Sequence, residues 1–163
     1  MSTMTIDQRT ASTREAHILS QGYGEGAWHG PDLKTALADV TSTLAFRRPG
    51  DGRHNIAEIA LHHAYCIRNV RAKLTGVEGE RFVLDGDDWF ALDEGGPLAW
   101  SNVTGVVASE QDRLARIVAD VAAGRSTSPL TADERFELVV GITCHAVYHA
   151  GQIQLIKRLV SAA

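Results

Sequence analysis

The sequence predicts an all-α protein: a four-helix bundle with an additional short helix after the first loop and a long irregular loop before the third bundle helix. Three observations support this prediction. Four long segments place apolar residues at spacings of three and four, the pattern of one helix face. Glycine and proline are concentrated between these segments, and no stretch reads as a convincing strand. At 163 residues the chain fits a single domain, residues 1–163, that can bury a real core.

The first third of the chain predicts one long helix and one short one. Helical spacing begins near Ile6 and runs to about Gln21, in a segment that is polar. Glycines at positions 22, 24, 26 and 30 then predict a loop. A short helix follows from Pro31 and Asp32, because Leu33 and the apolar residues spaced after it form a clean stripe to position 44. The turn-forming residues 47–52 end this helix.

The rest of the chain predicts three long helices. The second bundle helix should run from His54 or Asn55 to Leu74, closed by Gly76. Residues 76–97 form the long irregular loop, the third helix covers about 98–123, and residues 124–129 form a turn. Residues 131–134 carry the capping-box pattern, Thr followed three residues later by Glu, so the last helix should begin there and run to about residue 160.

Composition and charge exclude several classes of partner. The chain is 44% hydrophobic and 22% charged, with a net charge of −4 and no Lys/Arg cluster, so no nucleic-acid partner is expected. No apolar run reaches the ~20 residues that a membrane span requires, so no membrane partner is expected. Two cysteines and no export signal indicate a cytoplasmic protein with free thiols. The expected partner is a small-molecule substrate.

The last helix carries the strongest chemical signal, the pair His145 and His149. Residues four apart share a helix face and lie roughly 6 Å apart, a spacing at which two imidazoles can close on one metal ion. They occupy the middle of a stripe whose ends, such as Ile142 and Ile156, are apolar. The zinc-protease motif requires Glu directly after the first His, and Ala146 stands there, which disfavours a metallopeptidase.

A third ligand should come from the second bundle helix, which offers His62 and His63. Periodicity places His63 on the apolar stripe, where it would either reach the metal or simply be a buried, hydrogen-bonded core residue. His62 shares a face with Glu58, one turn earlier, and Cys66, one turn later. Sequence spacing alone leaves both assignments open.

The chain resembles the DinB superfamily, damage-inducible four-helix proteins related to bacillithiol and mycothiol S-transferases. The resemblance covers most of the chain from about residue 22 onward. The matching segments are 27–31 (AWHGP), 54–62 (HNIAEIALH), 87–89 (DDW) and 148–153 (YHAGQI). The last of these, with His145 one turn before it, is the most specific. The resemblance implies that the metal ligands are His62, His145 and His149.

Metal-dependent chemistry follows from this resemblance. Three imidazoles leave a coordination position open, as in catalytic sites, and the ion would be zinc or nickel. A metal-activated low-molecular-weight thiol, or water, would then attack an electrophile, which makes thiol S-transfer or a related addition the expected reaction. Glu58 is the candidate catalytic residue, expected to orient His62 or to act as a general base. It could equally be a first-turn Glu that favours the helix dipole.

Two other interpretations stand beside the enzyme. The chain could be a non-catalytic stress-response bundle that binds metal or a small ligand, or a helical homodimer whose histidines only pack. A homodimer is considered because bundles with extra apolar surface often pair. Cys66 and Cys144 are expected mainly as small hydrophobes, with soft ligation or a redox pair as alternatives. Trp89 is expected to anchor its loop or to cover the site.

Overall fold

The structure, a computed structural model, describes residues 6–24 and 26–161, with side chains from residue 14 onward. In these ranges it is all helical and contains no strand, as the sequence predicts. The helices, in chain order, are α1 (Ile6–Gly22), α2 (Leu33–Leu37), α3 (Ser42–Phe46), α4 (Ile56–Thr75), α5 (Trp100–Ala122) and α6 (Ala132–Ser161). None of the helices in the described ranges is long and apolar enough to cross a membrane.

The single short helix predicted after the first loop is two helices, α2 and α3. Each has its own N-cap: Asp32 accepts a hydrogen bond from the Thr35 amide at 3.2 Å, and Thr41 accepts one from the Leu44 amide at 3.3 Å. Thr41 caps best with an extended backbone (ψ 163°), which a continuous helix cannot provide. The apolar spacing continues from α2 into α3, but the N-cap at Thr41 divides the segment into two helices.

The ends of the long helices follow the predicted signals. Asn55 caps α4 by accepting from the Glu58 amide at 2.9 Å, and Gly76 ends it in the left-handed region (φ 68°). At the start of α6 the capping box is formed in both directions, from the Glu134 amide to Thr131 Oγ1 and from the Thr131 amide to Glu134 Oε2. These caps fix where α4 and α6 begin and therefore which side chains lie opposite each other.

The four long helices contact one another in the cyclic order α4, α5, α1, α6, and α2 packs on α6. Two apolar clusters fill the interior. The first includes Ile59 and Leu61 of α4 and Ile153 of α6. The second includes Ile67 of α4 and Ile142 of α6. Because α4 passes from the first cluster to the second and α6 passes in the opposite direction, the histidines of both helices lie where the two clusters meet.

The long irregular loop, as predicted, separates α4 from α5, and it is fastened to the start of α4. Asn55 Nδ2 donates to the Leu92 carbonyl at 2.7 Å, and the Leu92 amide donates to Glu58 Oε1 at 3.0 Å. Asp88 adopts a positive φ of 65°, which no other described non-glycine residue does. The loop thereby carries Asp88 and Trp89 to the histidine face of α4.

Candidate metal centre

Four histidines meet between α4 and α6, and we call them the imidazole cluster: His62, His63, His145 and His149. The Nε2 atom of His145 is central, at 3.1 Å from His62 Nε2 and 3.1 Å from His149 Nε2. The ring centroids of His62 and His149 are 5.1 Å apart. The structure therefore brings together the three residues that the sequence analysis named as ligands, and places His63 beside them.

The outer nitrogens of His62 and His149 face oxygen atoms that can only accept. His62 Nδ1 lies 2.9 Å from the Asp88 carbonyl oxygen and 3.0 Å from Asp88 Oδ1. His149 Nδ1 lies 2.6 Å from Gln152 Oε1, and the Gln152 amide nitrogen donates to Tyr148 Oη at 3.1 Å. Each Nδ1 therefore carries the ring hydrogen, and in the neutral ring Nε2 presents a lone pair.

The inner nitrogens of the imidazole cluster cannot all be satisfied by protein hydrogen atoms. His145 Nε2 faces the lone pairs of His62 and His149 and can offer at most one hydrogen. At least one of the two nitrogen contacts then has no proton in it. Buried polar groups are normally paired, so converging lone pairs indicate a site for a cation.

The spacing of these nitrogens fits a divalent metal. Imidazole nitrogens bind zinc at 2.0–2.1 Å, so two nitrogens on one tetrahedral ion lie about 3.3–3.4 Å apart. The two 3.1 Å separations are within a few tenths of an ångström of that value. Outer hydrogen bonds to a carbonyl, a carboxylate and an amide are the usual partners of metal-binding imidazoles. His62, His145 and His149 would hold the ion.

Burial keeps the ring of each α6 histidine in its metal-binding form. Desolvation lowers the pKa of His145 to about 4, and the neighbouring His62 adds to the effect. Desolvation also lowers the pKa of His149 to about 4, although its hydrogen bond to Gln152 acts in the opposite direction. Both rings are neutral near pH 7, so metal binding there requires no net release of a proton from either ring.

Cys66 is a further donor that the sequence analysis placed beside the ligands but did not favour. Its Sγ lies 3.9 Å from His62 Nε2, and the donor atoms of His62, Cys66 and His145 all lie within 4.8 Å of one another. Burial, with a contribution from Asp88, raises the pKa of the Cys66 thiol to about 11. Ligation would therefore require the ion to displace a firmly held proton. Cys144 is exposed and lies outside this donor group.

The Glu58 carboxylate lies one turn from His62 but is engaged elsewhere. Its oxygens accept from both terminal nitrogens of Arg48, from the Leu92 amide and from His54 Nδ1 at 2.9 Å. Burial alone would raise the pKa of Glu58, but these hydrogen bonds bring it below its ordinary value. The imidazole that Glu58 contacts is His54 and not His62, whose outer partner is Asp88. These contacts favour a structural role over that of a general base.

Trp89 covers the cluster. Its ring stacks on His62 with the centroids 3.9 Å apart and the planes at 3°, and its other face stacks on His54 at 3.8 Å and 10°. The stack restricts rotation of the His62 ring. Trp28, the other loop tryptophan, is 95% exposed and takes no part in the site. The contact between Trp89 and His62 joins residues 27 apart, and only the position of Trp89 in the predicted loop hinted at it.

A cavity of about 560 Å³ adjoins the centre, and His149 and Trp89 form part of its wall. Its polar wall includes Arg53, His54 and Gln152. The remaining wall is largely apolar and includes Ile59, Leu155, Ile156 and Leu159. This volume is within the range of cavities that bind small molecules. The centre thus lies beside a space that a small molecule can enter.

Comparison of the chain with models of protein families, with curated proteins and with solved structures found no match.

Proposed function

We propose that this chain is a divalent-metal-dependent enzyme of the DinB-like type, with zinc or nickel held by His62, His145 and His149. The observation that carries the proposal is the convergence of three Nε2 atoms whose outer nitrogens already have partners. A purely structural cluster of neutral imidazoles would leave two lone pairs facing each other in at least one of these contacts, at a cost to stability. A cation removes that cost.

The proposed architecture is a four-helix bundle of α1, α4, α5 and α6. The cyclic order of their contacts supports it, because each helix packs against two others around a shared interior. Bundles place metal sites in the core from side chains on facing helices. Here α4 and α6 supply the histidines, in agreement with the resemblance to the DinB superfamily.

The proposed reaction is thiol S-transfer or a related addition to a small electrophile. A divalent ion supplies one function, favouring the ionised form of a bound thiol or water. The chain supplies the setting: Trp89 restricts His62, and the cavity beside His149 offers an apolar wall for a substrate chain. The thiol proton passes to solvent, and the sulfur bonds to an electrophilic carbon by addition or by displacing a leaving group.

Elemental analysis of protein purified without a metal-affinity tag tests the centre. We expect about one zinc or nickel per chain in the wild type, and loss of that metal in His62→Ala and His149→Ala. His17→Ala is the matched control, because His17 is an exposed helical histidine outside the imidazole cluster. A wild type that neither contains nor takes up metal would eliminate the proposal.

Consumption of a low-molecular-weight thiol in the presence of electrophiles tests the reaction. We expect His149→Ala to abolish it.

A closed, non-catalytic metal site is the second candidate, and the position of Cys66 favours it. Nitrogen and sulfur atoms bound tetrahedrally to one zinc ion lie about 3.5 Å apart, close to the 3.9 Å between His62 Nε2 and Cys66 Sγ. Cobalt substitution separates the candidates. A sulfur-to-cobalt charge-transfer band that disappears in Cys66→Ser would show that the thiolate fills the open position, and its absence would leave that position for substrate.

A further inference from the structure

His63 is the imidazole that the proposed ligand set does not use. It is completely buried on α4, and its ring stacks on that of His145 with the centroids 5.1 Å apart and the planes at 21°. Its Nδ1 lies 2.8 Å from His145 Nδ1. Its Nε2 is buried and has no hydrogen-bond partner among the described residues. A core histidine kept only for packing would not need a nitrogen aimed at the outer nitrogen of another histidine.

We infer that His63 is a positioning residue for the metal centre: it accepts a hydrogen bond from His145 Nδ1 and so directs the His145 Nε2 lone pair at the ion. The inference rests on the proposed function and deepens it. His62 and His149 have oxygen acceptors for their outer nitrogens, from Asp88 and Gln152. The corresponding acceptor for His145 is the nitrogen of His63.

Proton counting between the two Nδ1 atoms gives two arrangements. A hydrogen on His145 Nδ1 leaves His145 Nε2 with its lone pair free for the ion, and His63 then carries its own hydrogen on Nε2. A hydrogen on His63 Nδ1 makes His145 Nδ1 the acceptor, so that a neutral His145 carries its hydrogen on Nε2. That hydrogen points at His62 and His149 and excludes the ion.

The unpaired Nε2 of His63 decides which arrangement each state prefers. With a hydrogen on it, this atom is a buried donor without an acceptor, whereas without one it is an unused lone pair, which buried sites tolerate better. The metal-free protein therefore favours the arrangement with the hydrogen on His63 Nδ1. Metal binding displaces the hydrogen from His145 Nε2 to solvent and shifts the shared hydrogen from His63 Nδ1 to His145 Nδ1, and His63 then takes up one hydrogen from solvent on its Nε2. His63 thus couples metal occupancy to a change of tautomer, with no change in net charge on the pair.

A matched pair of substitutions separates hydrogen bonding from packing. In His63→Asn the side-chain oxygen can occupy the place of the Nδ1 acceptor, whereas Leu in His63→Leu has a similar size and no acceptor. We expect zinc affinity, measured by chelator competition, to fall roughly 10–100-fold in His63→Leu, the usual loss when an outer partner of a metal ligand is removed. His63→Asn should stay within a few-fold of the wild type. Equal affinities in the two variants would overturn the inference.

Two further observations keep this result interpretable. Far-UV circular dichroism and urea unfolding of the metal-free variants establish that both fold, and the Leu variant should be at least as stable as the Asn variant because the site is fully buried. Nitrogen-15 NMR of the zinc-bound wild type should show the His63 hydrogen on Nε2. A hydrogen on Nδ1 would overturn the inference.

Failure of the inference differs from failure of the proposed function. A wild type that binds zinc, with His63→Leu unaffected, rejects the role of His63 alone. A wild type that binds no zinc rejects both.

Discussion

Two polar clusters lie one turn apart on α4, one around the buried Glu58 carboxylate and one formed by the histidines, and their contacts differ in kind. In the Glu58 cluster (Arg48, His54, Asn55, Glu58 and the Leu92 backbone), every contact joins a donor to an acceptor. In the imidazole cluster, nitrogen faces nitrogen at three places, and His63 Nε2 has no hydrogen-bond partner in the part of the chain that the structure describes.

The difference separates the structural role of the Glu58 cluster from the metal-binding role that we propose for the imidazole cluster. A satisfied network around a buried carboxylate holds its surroundings in one arrangement, and the hydrogen bond from the Leu92 amide to Glu58 fastens the long loop to α4. A set of like groups that cannot satisfy each other stabilises nothing until a ligand arrives. Neighbouring polar residues on one helix can therefore be assigned by asking whether their partners are complementary.

The largest expected effect comes from His145→Ala. This substitution removes the ring whose nitrogens lie within 3.1 Å of a nitrogen of every other member of the imidazole cluster, so metal affinity should fall by more than the roughly 100-fold that loss of an outer partner costs. Glu58→Gln should leave metal affinity within a few-fold of the wild type. Chelator competition with zinc measures both. The comparison between the clusters fails if the two substitutions weaken zinc binding equally.

Glu58→Gln, which should hardly change metal affinity, should lower the stability of the fold. Glu58→Gln leaves either Arg48 or His54 facing an amide hydrogen, which should lower the free energy of unfolding by about 2 kcal/mol. Asp85→Asn is the control, because the ion pair of Asp85 with Arg81 is exposed and contributes at most about 0.5 kcal/mol. Urea unfolding of the metal-free protein gives both values. Equal losses in the two variants would mean that the Glu58 cluster is not the fastening we describe.

The two clusters should also titrate in different windows. His145 and His149 have pKa values of about 4 in the folded chain, against 6.5 for an ordinary imidazole. Between these two pH values the unfolded state binds more protons than the folded state. The contribution of the two rings to the free energy of unfolding is therefore fully present above pH 6.5 and is lost as the pH falls toward 4. The slope is at most about 1.4 kcal/mol per pH unit for each ring. The lowered pKa of Glu58 adds a loss only as the pH falls below 4.5.

Substitutions test these windows separately in the metal-free protein. His149→Gln should reduce the slope of the stability profile between pH 6.5 and 4 by the share of one ring, whereas Glu58→Gln should reduce it only below 4.5. Urea midpoints at closely spaced pH values supply the profile. A wild-type profile that is level from pH 6.5 to 4 would contradict the assignment of neutral, buried rings.

The ends of α4 and α6 and the His145–His149 pair were predictable because their causes are local. Thr131 and Gly76 act within one helical turn, and so does an i,i+4 spacing. The division of the short helix at Thr41 was missed because the apolar stripe continues across it. The signal that could have revealed the division is Thr41 itself, because threonine is a preferred N-cap residue and can begin a new helix at position 42.

The choice between His62 and His63 was not predictable from periodicity. Residues 55–64 are all buried, so no exposed face exists against which an apolar stripe could be recognised. Both rings are in the cluster, and what distinguishes them is the partner of each outer nitrogen. Asp88 is a loop residue with positive φ, and it contacts His62 from 26 positions away in the chain. Contacts of this kind depend on how the loop docks, which no local pattern encodes.

Trp89 physically joins the two clusters, because one face of its ring contacts His54 and the other contacts His62. Trp89→Leu keeps apolar cover but removes both stacks, each of which contributes about 0.5–1.5 kcal/mol. We expect zinc affinity to fall about 2–10-fold. The free energy of unfolding of the metal-free protein should fall by an amount comparable to the energy of the lost stacks. Trp28→Leu, at an exposed position, should change neither quantity. If Trp89→Leu lowers stability and leaves zinc affinity intact, the ring only anchors the loop. If it lowers both, the fastening that Glu58 provides extends through Trp89 to His62, and the satisfied cluster helps to hold the unsatisfied one in its metal-binding geometry.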